Sequence, residues 1–214
     1  MLHTTSINRE KRQHRFVLHP AGQRKDQVHT RHTIYTLYTL YTLYLIGHEI
    51  SHGFDGIGRR YDGDGNLRDW WERSDVKKYD EREEIMKAQL DRFNVNLSYF
   101  EKAITVGENL ADLNGLSLAL GAFKTLILQR NLSEERRIDG FSPWQRFFLS
   151  WAKSWREVAT ANANARAREQ NMLHSPSEFR CNTPLMNLEL FDKIFGIKTN
   201  SGMFLPPDDK LVIW

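Results

Sequence analysis

A short motif, H-E-x-x-H, is formed by His48, Glu49 and His52. On a helix, residues four positions apart lie on the same face, so the two imidazoles converge on one point. A zinc ion suits that point, since it accepts neutral histidine nitrogen and prefers tetrahedral surroundings. Glu49 follows the first histidine directly and can reach a water at the metal without binding the metal itself. The motif therefore predicts a hydrolytic zinc site on a helix.

Apolar residues flank the motif and favour this interpretation over a chance pair of surface histidines. The segment is apolar apart from the three residues of the motif, since it contains Leu45, Ile46, Ile50 and Phe54. This pattern predicts a buried helix. Polar side chains on a buried helix need partners, and a metal ion provides one. We expect this helix to cover about residues 45–53.

A second pair of candidate residues lies downstream at Glu108 and Asp112, again four positions apart. The helix that contains them continues as an apolar stripe with the spacing of a packed helix, through Leu113, Leu116, Leu120, Phe123 and Ile127. Two solvated acids near a helix N-terminus are the plain alternative, because the helix dipole favours them there. With H-E-x-x-H upstream, we expect Glu108 to be the third zinc ligand. Asp112 is then expected to hold a ligand imidazole in the correct tautomer.

A third cluster begins at His174 and ends at Arg180. Ser175, Pro176 and Glu178 have the pattern of a helix start, with an N-cap, a first-turn proline and a capping-box glutamate. A hydrolytic zinc site needs a donor outside the metal ligands to stabilise the oxyanion, and benefits from a cation that binds a substrate carbonyl. His174 and Arg180 fit those roles, and an ordinary helix start with an exposed histidine is the alternative.

Capping and breaking signals predict the remaining elements. One helix is expected to begin at Asp69, with Glu72 completing its capping box, and a loop or strand is expected at residues 94–105. The helix that contains Glu108 is expected to end near Gln129. Further helices are expected from Ser142 and over residues 187–196.

Taken together and in this order, the motifs resemble those of the neprilysin and endothelin-converting-enzyme family of zinc metallopeptidases. The matching blocks are Gly47–Asp55, Asp62–Leu67, Asp69–Trp71, Gly107–Asp112 and His174–Arg180, followed by Trp214. The resemblance covers about residues 45–214 and implies a mainly α, thermolysin-like (gluzincin) catalytic domain with little β structure. It implies a single zinc ion held by His48, His52 and Glu108, with Glu49 as general base.

The resemblance also assigns roles to the other candidate residues. Asp112 matches the family's second catalytic acid, His174 its transition-state contact, and Arg180 its contact to the substrate backbone. The implied substrates are peptides, and the implied reaction is the hydrolysis of peptide bonds by a metalloendopeptidase.

Family members are usually far longer than this chain, which affects the activity that we expect. Most carry a large helical domain that closes over the catalytic one, and a substrate-binding strand ahead of the zinc helix. Neither is matched in residues 1–44. The chain is therefore expected to be a truncated catalytic portion joined to an unrelated beginning. It would act as a weak zinc peptidase or, alternatively, as a zinc-binding remnant without turnover.

The first 44 residues differ in character from the rest. Residues 35–44 read Y-T-L-Y-T-L-Y-T-L-Y, a three-residue repeat that could form an edge strand or extend the zinc helix. Residues 1–32 hold seven Lys or Arg against two acids, so the net charge of +3 comes from this tail. A basic tail can bind nucleic acid or serve as a transit peptide, and a non-enzymatic interaction protein is the alternative function. We expect a solvated, disordered tail without a nucleic-acid partner.

The rest of the composition sets few further limits. The single Cys181 excludes an internal disulfide, and no apolar run of membrane-spanning length is expected. Family members are membrane-anchored or secreted, but no anchor or signal peptide is visible here, so no compartment is predicted.

Overall fold

The computed structural model describes residues 41–92, 99–156 and 174–213, with the backbone alone at residues 99–104. The described helices are α1 (residues 41–52), α2 (Arg73–Arg92), α3 (Tyr99–Gln129), α4 (Pro143–Ser154), α5 (Ser177–Asn187) and α6 (Glu189–Phe195). Short 3-10 turns lie at Gly58–Arg60 and Pro207–Asp209, and isolated antiparallel bridges join Tyr61 to Leu67 and Ile138 to Phe141. For the described residues, the prediction of a mainly α fold with little β structure is confirmed.

The long helix α3 is the centre of the fold and packs against α2 and α5. Its apolar side chains belong to two buried clusters. The first contains Tyr79, Met86, Leu90, Val106, Leu110, Leu113, Phe179, Leu211 and Ile213. The second contains Tyr44, Leu116, Ala119, Phe123, Ile127, Trp144, Phe147, Phe148, Trp151, Leu185 and Phe191. The predicted apolar stripe of α3 is therefore core, and α3 carries Glu108 and Asp112 into the interior.

The expectation of no apolar run of membrane-spanning length needs correction. Among the described residues, the Thr105–Gln129 part of α3 is long and apolar enough to meet that criterion. Most of its apolar side chains pack in the two buried clusters, although Leu118 and Leu128 are exposed, and this packing is that of a core helix.

Some helix boundaries agree with the prediction and others do not. Ser142 caps α4, accepting from the Gln145 backbone N–H while the Gln145 side chain accepts from the Ser142 N–H. The predicted start at Asp69 is wrong, because α2 begins at Arg73. The predicted loop or strand over residues 94–105 is wrong from Tyr99 onwards, where α3 has already begun. The basic tail, residues 35–40 of the repeat, residues 93–98 and Trp214 lie outside the described residues.

A buried amide pair joins α2, α5 and the C-terminal segment. The side chains of Gln89 and Asn187 donate to each other over 3.0 and 2.9 Å. Asn187 Oδ1 also accepts from the Leu211 backbone N–H at 2.6 Å, and Gln89 Nε2 donates to the Asp209 carbonyl at 2.9 Å. Because both amides are buried and fully used, this network fixes how α5 sits on α2.

We expect Asn187→Ala to lower the free energy of unfolding by about 2–3 kcal/mol, because Gln89 and the Leu211 N–H would lose buried partners. Urea unfolding followed by circular dichroism measures the change. The exposed Asn200 offers a matched control, since Asn200→Ala should shift stability by less than about 0.5 kcal/mol. Equal stabilities of the two variants would contradict a structural role for the amide pair.

Candidate metal centre

Three candidate ligands from two helices converge on one point. His48 and His52 lie on one face of α1, and their Nε2 atoms are 3.1 Å apart. From α3, Glu108 Oε2 lies 3.5 Å from His48 Nε2, and Glu108 Oε1 lies 3.5 Å from His52 Nε2. A tetrahedral zinc ion with bonds of about 2.0–2.1 Å separates its ligand atoms by roughly 3.3 Å. Two imidazoles and a carboxylate at these distances fit a zinc ion.

Two glycines allow α1 and α3 to approach closely enough for this. A Cβ atom added to Gly47 would lie 2.9 Å from the Gly115 Cα, and one added to Gly115 would lie 2.5 Å from the Tyr44 carbonyl oxygen. Any larger residue at either position would force the helices apart. The backbone contact between Gly47 and Gly115 therefore sets the distance between the histidines of α1 and the acids of α3.

Asp112 lies behind the ligands and is completely buried. Its Oδ1 lies 2.9 Å from His48 Nδ1 and accepts from the Tyr44 hydroxyl at 2.6 Å. Arg180 donates to both carboxylate oxygens, from Nε over 2.6 Å and from Nη2 over 2.8 Å. A buried carboxylate needs such compensation, and Asp112 receives it from groups on two helices, α1 and α5.

These contacts change the protonation of the groups involved. Burial would raise the pKa of Asp112, but hydrogen bonds from its three donors outweigh burial and hold that pKa below its usual value. Burial would lower the pKa of His48, yet its contacts with Asp112 and Glu108 raise it to about 9. Burial and the adjacent carboxylate raise the pKa of Tyr44, so its phenol stays protonated. Asp112 is thus a fixed negative charge within the site.

The second histidine has a carboxylate partner of its own in Asp55. Asp55 Oδ2 lies 2.8 Å from His52 Nδ1, and its Oδ1 accepts from the backbone N–H groups of Ile57 and Gly58 at 2.8 and 2.7 Å. The hydrogen bond to Asp55 raises the pKa of His52. The sequence analysis placed Asp55 in the block Gly47–Asp55 but gave it no role. An acid three residues after the second histidine could have indicated a partner for that histidine.

His174 and Arg180 both lie beside Glu108. His174 Nε2 is 3.0 Å from Glu108 Oε2, with the His174 side chain partly exposed. Arg180 Nη2 is 3.7 Å from the same oxygen, and the guanidinium lies over the Trp155 ring, 4.7 Å from its centroid. The structure therefore brings this predicted pair into contact with the candidate ligands.

The predicted capping box ahead of Arg180 is wrong. Pro176 occupies the N-cap of α5, and no side chain caps this helix. The Ser175 hydroxyl instead accepts a buried hydrogen bond from Asn109 Nδ2 of α3, over 2.7 Å. This bond ties the segment next to His174 to the helix that carries Glu108.

Glu49 lies on the exposed side of α1, directly after His48. The prediction that its apolar neighbours are buried is wrong. Leu45 and Phe54 are each 38% exposed, and Ile46 and Ile50 are 51% and 57% exposed. The face of α1 that packs on α3 contains Tyr44, Gly47, His48 and Ser51 instead, so hydrophobicity alone did not identify the buried face.

The last four residues of the Tyr-Thr-Leu repeat, 41–44, are helical and continue into the histidine motif. Tyr44 is 4% exposed and contacts Asp112, a role that sequence reasoning missed. The three-residue period of the repeat gave no indication of which tyrosine would be buried.

Known proteins are similar to this chain in sequence. The model of peptidase family M13 matches residues 38–211. Endothelin-converting enzyme 1 of Mus musculus is 32% identical over 198 residues, which are 92% of this chain and 25% of that protein. The neutral endopeptidase of Lactococcus lactis subsp. lactis is 33% identical over 170 residues, 79% of this chain and 25% of that protein.

A solved structure shows the same relation. The crystal structure of the Mycobacterium tuberculosis zinc metalloprotease Zmp1 in complex with an inhibitor matches with a TM-score of 0.68 and 36% identity, over 80% of this chain and 26% of that one. The chain spans about a quarter of the length of the curated relatives it matches. The predicted relation to the endothelin-converting-enzyme family is confirmed. Because the family match includes α1, α3 and α5, which carry all the candidate ligands and Arg180, this chain belongs to peptidase family M13.

Proposed function

We propose that this chain is a zinc-dependent metalloendopeptidase that hydrolyses peptide bonds, with His48, His52 and Glu108 as its zinc ligands. The convergence of these three ligand atoms within 4.8 Å of one another carries the proposal. Membership of a peptidase family and relatives named as endopeptidases support it. Among the ions that such a site could hold, zinc fits best, because it accepts two imidazoles and a carboxylate in tetrahedral geometry.

Glu49 is the proposed general base. When bound, zinc acts as a Lewis acid that polarises the substrate carbonyl and lowers the pKa of a water. Glu49 would take a proton from the attacking water as the water oxygen bonds to the carbonyl carbon. As the carbon–nitrogen bond breaks, Glu49 gives the proton to the leaving nitrogen, which departs as an amine. The other product is a carboxylic acid, which releases its proton to solvent and becomes a carboxylate. Its exposed position next to His48 leaves Glu49 open to both water and substrate.

Asp112 and Asp55 orient the two histidine ligands. Each carboxylate lies within 2.9 Å of the Nδ1 atom of one histidine, so the proton of that imidazole stays on Nδ1. The Nε2 lone pairs then point towards the shared site. Such carboxylate–histidine pairs fix the tautomer and the ring orientation of a ligand.

His174 and Arg180 are proposed to act on the substrate. His174 is partly exposed at the edge of the site, where it can donate to the oxygen of the tetrahedral intermediate. The guanidinium of Arg180 is held by Asp112 and stacked on Trp155, and it is proposed to bind a substrate carbonyl. Because Arg180 also supports Asp112, its loss is expected to weaken zinc binding as well as substrate binding.

Zinc content and peptide cleavage, measured together on the full chain, test this function. We expect one equivalent of zinc, and cleavage of a quenched fluorescent peptide that stops on chelation and returns when zinc is restored. A chain that binds zinc but never cleaves peptides would be a zinc-binding remnant, and the proposed activity would be rejected. Absence of zinc binding would reject the metal centre itself.

A further inference from the structure

Tyr44 is buried at the centre of the candidate site without being a candidate ligand. Its hydroxyl donates to Asp112 Oδ1 over 2.6 Å. Its ring packs edge-on against Trp151 of α4, with centroids 4.7 Å apart, and lies 5.8 Å from the His48 ring. The ring thus belongs to the core, whereas the hydroxyl belongs to the polar network behind the ligands.

Three polar groups meet at one carboxylate oxygen, two of them through hydrogen bonds. Asp112 Oδ1 faces the Tyr44 hydroxyl, His48 Nδ1 and Arg180 Nη2, at 2.6, 2.9 and 2.8 Å respectively. From α5, Arg180 donates to the Asp112 carboxylate. The Tyr44 hydroxyl comes from α1, one helical turn before His48, and holds the oxygen that His48 must meet.

We propose that Tyr44 is a positioning residue for the zinc site: its hydroxyl holds Asp112 Oδ1 in the orientation that directs His48 towards the metal. The inference rests on the proposed zinc site and deepens it. Hydrogen bonds to an ionised acceptor are short and strong. A phenylalanine would fill the same aromatic pocket but would leave this carboxylate oxygen with one donor fewer.

The experiment measures zinc affinity of the full chain by competition with a chromogenic chelator. We expect Tyr44→Phe to bind zinc about tenfold more weakly, the lower end of the effects seen when a partner of a ligand is lost. Tyr41→Phe is the matched control, because it removes a hydroxyl from the same helix on a side chain that is 47% exposed. It should change the affinity less than about twofold. Unchanged affinity of Tyr44→Phe would overturn the inference while leaving the zinc site intact.

A double-mutant cycle distinguishes positioning through Asp112 from a general structural effect. In an Asp112→Ala background, Tyr44→Phe should cost almost no further affinity, because the group it holds is gone. If Tyr44→Phe lowered zinc affinity equally in the wild-type and Asp112→Ala backgrounds, positioning through Asp112 would be overturned. If Asp112→Ala does not fold, the comparison of Tyr44→Phe with Tyr41→Phe still tests whether the Tyr44 hydroxyl supports zinc binding. A wild-type chain that binds no zinc would reject the proposed function, and this inference with it.

Discussion

Glu49→Gln should leave zinc bound and reduce the kcat for peptide cleavage by about 10²- to 10⁴-fold, the usual contribution of a general base. Glutamine keeps the size and polarity of the side chain but cannot accept a proton. Glu49 is exposed and lies outside the cluster of ligand atoms, so the zinc site should keep its geometry. Zinc content by atomic emission and kcat with a quenched peptide measure the two effects separately.

The control for Glu49→Gln is the same change at Glu135, an exposed residue in the turn after α3. Glu135→Gln should match the wild-type chain in both zinc content and kcat. Turnover that persists in Glu49→Gln would exclude Glu49 as the base. Loss of zinc together with turnover would instead show that Glu49 acts by supporting the metal.

Glu108→Ala should weaken zinc binding by more than about 100-fold, which exceeds the effect of losing a ligand's supporting partner. Glu108 supplies one of three converging ligand atoms and the only one from α3. Two histidines from a single helix would bind zinc weakly, because a zinc site normally has at least three protein ligands. His52→Ala should have a comparable effect. Zinc occupancy is measured across a series of buffered free-zinc concentrations.

Glu84 provides the comparison for this loss of a carboxylate. Its side chain is 72% exposed on α2 and pairs with Lys87, so Glu84→Ala should keep full zinc affinity. A Glu108→Ala variant that remains fully occupied at nanomolar free zinc would show that the third ligand is another residue.

The cluster of candidate ligands was predictable because histidines and acids recur at helical spacing in the sequence. His48 with His52 and Glu108 with Asp112 are both i, i+4 pairs, and each pair needed only a helix to align it. Sequence periodicity predicted that α3 would turn its apolar stripe inward, and a helix start was correctly predicted at Ser142. These features depend on neighbours in sequence, so local rules were sufficient.

The contacts that sequence reasoning missed depend on residues far apart in the chain. Ser175 was a good candidate for an N-cap, but its hydroxyl is taken by Asn109, 66 positions away. Tyr44 was one of four tyrosines in a uniform repeat, and only its position opposite Asp112 distinguishes it. Ile46 and Ile50 are apolar yet exposed, because the glycine contact turns the other face of α1 towards α3.

That contact between Gly47 and Gly115 also bears on the entropy of metal binding. The two helices meet backbone to backbone, so their separation does not depend on flexible side chains that must be ordered when an ion arrives. The imidazoles and the Glu108 carboxylate therefore start from near their bound positions, and little conformational freedom is lost on binding. Such preorganisation raises affinity without adding a ligand. Two residues that lack side chains would therefore help to determine how tightly the proposed site binds zinc.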